Sequence, residues 1–133
     1  MRRVRVVSSV LAAFAVTVAT AAGVPTPATL TSCMKAAGWT FQPGGVGMYR
    51  FPEEKQTLSA RIGRTPVTVY YTTDDSSAIR LFGRFINLAQ SFGFTKAQET
   101  RIQGRVGRIV WVGDLDYPMT RAQIGSVQRC LTR

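Results

Sequence analysis

The sequence predicts an α+β protein, a small two-layer sandwich in which an antiparallel sheet carries its helices on one face. Two segments, 57–62 and 67–72, alternate between apolar and polar side chains on either side of a Gly-Arg pair, which is typical of a β-hairpin. Apolar residues at helical spacing over 78–92 predict a helix that packs one face on a sheet. The predicted element order is α-(ββ)-ββ-α-ββ-α, closed by one end-to-end disulfide.

Residues 1–22 predict a signal peptide. Three arginines among the first five residues precede an apolar stretch, and the small residues after it allow cleavage just after Ala21 or Ala22. The mature protein is therefore expected to be exported, to the periplasm or the extracellular space, and to have no membrane span. Two alternatives stay open. The leader is retained as a membrane anchor, or Cys33 is lipidated, because the Leu-Thr-Ser before it looks like a bacterial lipobox.

The rest of the chain divides into a short Pro/Thr linker over 23–29 and a single globular α+β domain over 30–133. This domain opens with a short helix and a weak strand pair. The helix is predicted over 28–37, and the two strands, 39–42 and 48–51, flank a glycine-rich turn.

A second hairpin and a closing helix are predicted for the last third of the chain. Segments 98–103 and 106–112 lie on either side of a second Gly-Arg turn, Gly104-Arg105. Thr120 and Gln123 match a capping box at the start of the last helix. Each Gly-Arg turn is followed by a strand and a helix, which suggests a duplicated ββα unit.

The mature domain has two cysteines and a large excess of arginine. Cys33 and Cys130 lie near its two ends, and an even pair in an oxidising compartment predicts a disulfide. A catalytic thiol is the alternative. The chain carries 17 Lys+Arg and 7 Asp+Glu, and loss of the leader removes three arginines, which leaves 14 basic groups against 7 acidic ones. Arginine suits phosphate, carboxylate and sulfate, and solubility alone is the other explanation for the excess.

The absence of histidine excludes several chemistries. Neither a Ser-His-Asp triad nor a Cys-His pair can form, and the commonest metal ligand is missing. With both cysteines oxidised, the usual zinc ligands are gone, so we expect no metal and no cofactor. Carboxylate chemistry at Asp114 and Asp116 stays open, because alternate residues of an extended segment share a face. Turn and capping roles are the commoner explanation for acids between Gly and Pro, so we expect no enzymatic activity.

The sheet face turned away from the helices is the predicted binding surface. Turns at the two Gly-Arg pairs send Tyr70 outward and set Arg101 directly across from Arg108, a like-charge pair that is destabilising unless an anion lies between. Such a face suits a polyanion, and an ordinary solvated sheet face is the alternative. The candidate contacts for an anion or a partner are Arg61, Arg64, Tyr70, Arg101, Arg105 and Arg108.

These observations predict a small, basic, exported binding module without enzymatic activity, located in the cell envelope or the secreted space. Its expected partner is an anionic envelope polymer or an acidic protein. The leader disfavours nucleic acid, and the aromatic motifs of RNA-binding domains are absent. Two other functions stay open: a protein–protein module, such as an inhibitor or an assembly accessory, and a carboxylate-dependent enzyme.

Overall fold

The computed structural model describes residues 23–42 and 51–132. The predicted signal peptide, the glycine-rich turn and most of the strand predicted after it lie outside these residues. In chain order the described elements are α1 (Pro27–Ala36), β1 (Thr40–Phe41), β2 (Glu54–Ile62), β3 (Thr65–Thr72), α2 (Asp75–Ser91), α3 (Lys96–Ile102), β4 (Gln103–Val106), β5 (Ile109–Gly113) and α4 (Arg121–Leu131).

The described strands form one antiparallel sheet in the order β1-β2-β3-β5-β4, so the α+β class and the antiparallel sheet are confirmed. The first hairpin turns at the predicted pair. Ile62 lies opposite Thr65, and Gly63 has a positive φ of 57°, which glycine adopts without strain.

Helices cover both faces of this sheet, so it lies between two helical layers rather than beneath one. On β3, Val69 and Tyr71 pack in a core with α1 and α4, whereas Tyr70 packs against α2. The reason is visible in β5, where four consecutive apolar residues, 109–112, place two side chains on each face. A strand of this kind must be covered on both sides, and α2 supplies the second cover.

The larger core lies between the sheet and the α1/α4 layer. Its buried members are Leu30, Met34, Trp39, Ala60, Val67, Val69, Tyr71, Ile109, Trp111, Met119, Val127, Cys130 and Leu131. The smaller cluster beneath α2 contains Tyr70, Ala78, Leu81, Phe85 and Val110. Because this second cluster is small, α2 covers only part of that sheet face.

A disulfide joins Cys33 of α1 to Cys130 of α4, as predicted, with the two Cα atoms 5.6 Å apart. Beside it, Trp39 Nε1 donates a buried hydrogen bond of 3.0 Å to Ser126 Oγ. Helices α1 and α4 are therefore joined by a covalent bond, and the segment between α1 and β1 is joined to α4 by a buried hydrogen bond.

The second hairpin differs from the sequence prediction. Residues 96–102 form helix α3 instead of a strand, because Thr95 and Gln98 make a capping box. The turn lies at Gly107-Arg108, where Gly107 has a φ of 55°, and not at Gly104-Arg105. Arg101 therefore lies on a helix, and the predicted pairing of Arg101 with Arg108 is wrong.

Gly104 explains why the hairpin takes this register. It lies opposite Trp111, and a Cβ atom added to Gly104 would come within 2.5 Å of the indole. Only glycine leaves room for this buried ring, so residue 104 belongs inside β4 and the turn moves to the next glycine.

The segment before α1 is docked onto the domain. Tyr71 Oη donates a hydrogen bond of 2.7 Å to the carbonyl oxygen of Pro25, and Val24 packs against the larger core. Thr26 then caps α1 by accepting a hydrogen bond from the backbone N–H of Thr29. Most of the segment predicted as a linker thus belongs to the packed structure. No helix in the described ranges has the length and apolar character that a membrane span requires.

Candidate functional site: a cleft beside helix α2

Helix α2 covers only part of its sheet face, and a cleft of about 780 Å³ opens where its cover ends. We call this the α2 cleft. Its volume lies within the range of small-molecule sites. Strands β2, β3 and β5 supply the floor, the C-terminal half of α2 supplies one wall, and the loop after β5 supplies another. Its main lining residues are Ser59, Arg61, Arg64, Thr68, Tyr70, Phe85, Leu88, Phe92, Gln103, Val112, Asp114, Leu115, Asp116 and Tyr117.

Exposed apolar side chains concentrate around this cleft. Of the five large hydrophobic side chains that are exposed in the described part of the chain, four line it, and between 44% and 64% of each is exposed. They are Leu88, Phe92, Leu115 and Tyr117. Such a concentration on one surface is typical of a binding site, whereas scattered apolar residues are not.

The inner wall of the cleft is aromatic and closely packed. Tyr70 and Phe85 both line it, and together with Phe51 they form a cluster whose ring centroids are 5.2 to 5.9 Å apart. Burial, assisted by the Glu54 carboxylate, raises the pKa of Tyr70. The prediction that Tyr70 lies on an open sheet face is therefore wrong, because α2 covers that face.

Two of the predicted arginines lie at the cleft. Arg61 and Arg64, at the end of the β2–β3 hairpin, are exposed and line it. Neither forms an ion pair with any residue in the described ranges. Their guanidinium groups therefore place positive charge beside the exposed apolar side chains.

The other three predicted arginines do not line this cleft. Arg101 lies on α3. Arg105 and Arg108 lie at the opposite end of the sheet, because the Arg108 carbonyl accepts a hydrogen bond from the backbone N–H of Thr72 at the end of β3. About 26 Å of strand, the eight residues from Arg64 to Thr72, separates this turn from Arg64. The six predicted contacts are thus divided and do not form one basic surface.

The Asp114 carboxylate, in the loop after β5, has a structural role at the cleft. Asp114 Oδ1 accepts hydrogen bonds from the backbone N–H groups of Asp116, at 2.7 Å, and Tyr117, at 3.2 Å. This turn fixes the loop that presents Leu115 and Tyr117. Among the described residues, no group of three or more His, Cys, Asp or Glu side chains is placed to bind a metal ion.

Gln103 is a cleft residue that the sequence prediction missed. It pairs with Val112, whose side chain packs beside the cluster under α2, so the Gln103 side chain lies on the same face. Only 5% of Gln103 is exposed, and its Nε2 has no acceptor among the described residues. Its burial was missed because this sheet face was predicted to be open, whereas α2 covers it. The signal for the correct register is the sequence Arg-Val-Gly-Arg at 105–108, which matches Arg-Ile-Gly-Arg at 61–64.

A partly exposed ion pair holds α2 in place over β2. Glu53 Oε1 accepts hydrogen bonds from Arg84 Nε, at 3.2 Å, and Nη2, at 3.0 Å. Burial acts to raise the pKa of Glu53, but its backbone N–H and the Arg84 guanidinium act in the opposite direction, and the pKa is lowered. The pair therefore stabilises the wall that bounds the cleft.

Arg84→Gln is expected to lower the free energy of unfolding by about 1 kcal/mol at pH 7, because it leaves the Glu53 carboxylate without its cation. A lowered folded-state pKa stabilises the fold above the ordinary value of 4.5, and this contribution is lost as the pH falls through the lowered pKa. The difference between wild type and variant should therefore shrink below pH 4.5 in urea titrations. Lys55→Gln, at an exposed cation of β2, is the control. A pH-independent difference would contradict the assignment.

Comparison of the chain with family models, with curated proteins and with solved structures gives no match in any of the three. The fold and the site alone therefore define its class. It is a disulfide-bonded α+β protein with an apolar cleft, also lined by Arg61, Arg64, Asp114 and Asp116, on the sheet face opposite its disulfide.

Proposed function

We propose that this protein is an exported binding module, without enzymatic activity, that recognises an acidic ligand in the α2 cleft. The proposal rests on the observation that four exposed apolar side chains and two arginines line the same cleft. These residues are Leu88, Phe92, Leu115, Tyr117, Arg61 and Arg64. Export is supported by the predicted leader and by the disulfide, which is consistent with a compartment outside the cytoplasm.

The apolar side chains supply the affinity in this proposal. Burying exposed side chains such as Phe92 and Leu88 beneath a ligand removes apolar surface from water, which is favourable by about 25 cal/mol per Å². The aromatic inner wall is already packed in the free protein, so we expect little ordering of this wall on binding.

The arginines supply the preference for an acidic ligand. Arg61 and Arg64 are free of ion pairs with the described residues, and a guanidinium binds a carboxylate through two parallel hydrogen bonds. A compact acidic ligand is favoured over a long anionic polymer, because Arg105 and Arg108 lie too far away to extend the same basic track.

The proposal is tested with 8-anilinonaphthalene-1-sulfonate, a dye that combines apolar rings with one anionic group. We expect the folded, oxidised protein to bind it with increased fluorescence. Arg61→Gln with Arg64→Gln should weaken binding about tenfold, as expected for two partly exposed charge contacts, and Phe92→Ser should weaken it further. The double variant Arg105→Gln with Arg108→Gln makes the same charge change away from the cleft and should bind like wild type.

Partly unfolded states also bind this dye. Thermal unfolding of each variant, monitored by near-ultraviolet circular dichroism, therefore shows whether the dye binds the native state. Dye binding that responds equally to both double variants, or to neither, would contradict the cleft as the site.

A further inference from the structure

We propose that the occupant of the α2 cleft is a short, extended, acidic peptide segment of a partner protein, and that the Gln103 carboxamide hydrogen-bonds to its backbone. This inference rests on the proposed function and specifies the ligand of the same site.

The openness of the cleft favours a segment of a larger protein over a free amphiphile. About half of each of the four apolar side chains is exposed to solvent, so the described residues leave the outer side of the cleft uncovered. A small ligand gains most binding free energy when the pocket buries most of its surface. In this cleft, the outer side of a small ligand would stay exposed to water. When the ligand is a segment of a larger protein, the rest of that protein can cover the outer parts of Phe92 and Leu115.

Gln103 supplies a polar contact of the type that a peptide satisfies. A buried polar group without a partner lowers stability and is rare in folded proteins. The carboxamide of glutamine has both a donor and an acceptor, and its terminal torsion is broad, so it can turn either one toward the cleft. A backbone amide also has both, and the two groups can form a pair of hydrogen bonds.

The topology sets the distance between the two polar contacts. Arg61 pairs with Pro66 on β3, Val67 of β3 pairs with Gly113 of β5, and Gln103 of β4 pairs with Val112. Arg61 and Gln103 therefore lie at the same end of the sheet, three strand spacings apart, or about 14 Å. An extended peptide rises about 3.3 Å per residue, so about four residues bridge this distance.

The bound segment therefore crosses the strands instead of running along them. An acidic side chain lies at the β2 end, near Arg61 and Arg64, and a backbone amide lies about four residues away, at Gln103. The side chains between them meet the apolar wall at Leu88 and Phe92.

The test uses a positional-scanning library of N-acetylated, C-amidated octapeptides and the oxidised protein. Wild type should select Asp or Glu at one position and apolar residues beside it. Arg61→Gln with Arg64→Gln should abolish the acidic preference and keep the apolar one. Arg105→Gln with Arg108→Gln, the matched control, should leave both preferences unchanged.

The role of Gln103 has its own measurement. Gln103→Met removes an unpartnered polar group, so its unfolding temperature should equal or exceed that of wild type, while its affinity for the best octapeptide should fall about tenfold. N-methylation of single backbone amides of that octapeptide should weaken wild-type binding most at a residue about four positions from the acid. The same methylation should have little effect on Gln103→Met. Equal effects of N-methylation on wild type and on Gln103→Met would contradict the hydrogen bond assigned to Gln103.

Failure of this inference is separable from failure of the proposed function. If the dye binds with the expected dependence on Arg61, Arg64 and Phe92 but no octapeptide displaces it, the cleft is a ligand site and the peptide occupant is wrong. If the dye shows no such dependence, both proposals are wrong.

Discussion

Replacing both Cys33 and Cys130 by alanine is expected to lower the free energy of unfolding by about 4–5 kcal/mol. The disulfide spans 97 positions of the chain and thus closes almost the whole domain into one loop. In the chain-entropy description, a loop of this length removes much of the conformational freedom of the unfolded chain. For a small domain this is a large part of the total stability.

Urea unfolding followed by tryptophan fluorescence measures this loss, because Trp39 and Trp111 are both buried in the larger core. Wild type treated with a reductant should show the same midpoint as the double variant, which separates the loss of the bond from the effect of the alanines. A loss below 1 kcal/mol would show that the non-covalent contacts of this layer, such as the hydrogen bond from Trp39 to Ser126 of α4, suffice without the covalent link.

Gly104→Ala is expected to lower the free energy of unfolding by about 2–3 kcal/mol, because the new methyl group overpacks a full core. Its Cβ would lie 2.5 Å from Cε2 and Nε1 of Trp111 and 2.6 Å from Cζ2, closer than any ordinary contact. The indole has little room to move, since Trp111 is almost completely buried in the larger core.

Gly83→Ala is the matched control for this substitution. Gly83 lies inside α2, and an added Cβ there meets nothing within 4 Å. Alanine favours a helix interior over glycine, so this variant should be more stable by about 0.5–1 kcal/mol. Thermal and urea unfolding of both variants check the pair, and a neutral Gly104→Ala would contradict the register of the second hairpin.

The parts of the fold that could be predicted are those with strong local signals. The Gly63-Arg64 turn lies between two alternating segments, and the capping box at Thr120 marks the start of α4. The disulfide followed from two cysteines and a predicted leader. Each of these inferences needed only a few neighbouring residues or a simple count.

The second hairpin could not be placed from local signals, because two Gly-Arg pairs begin at positions 104 and 107. The observed turn pairs Val106 with Ile109, whereas a turn at 104–105 would pair Gln103 with Val106, so every cross-strand partner changes. The choice between them depends on Trp111, which needs a glycine opposite its ring. That requirement becomes visible only when the strands are paired in space.

The α2 cleft was equally hidden in the sequence. Phe92 continues the apolar spacing of α2 and was predicted to face the core, but it lies where the helix ends, beyond the cover of the smaller cluster. Leu115 and Tyr117 lie in a turn that Asp114 fixes. Where a helix stops above a sheet is decided by tertiary packing, so an apolar residue at its end can be core or surface.

The docking of the N-terminal segment has a consequence for how this domain can be displayed. Val24 packs against the larger core, and α4 lies in the same layer, so both ends of the described chain emerge on the side opposite the α2 cleft. A support, a fused protein or a cell surface joined to either end would therefore leave the cleft pointing outward. The disulfide joins α1 and α4, the helices next to these two ends, on the side of the sheet opposite the α2 cleft.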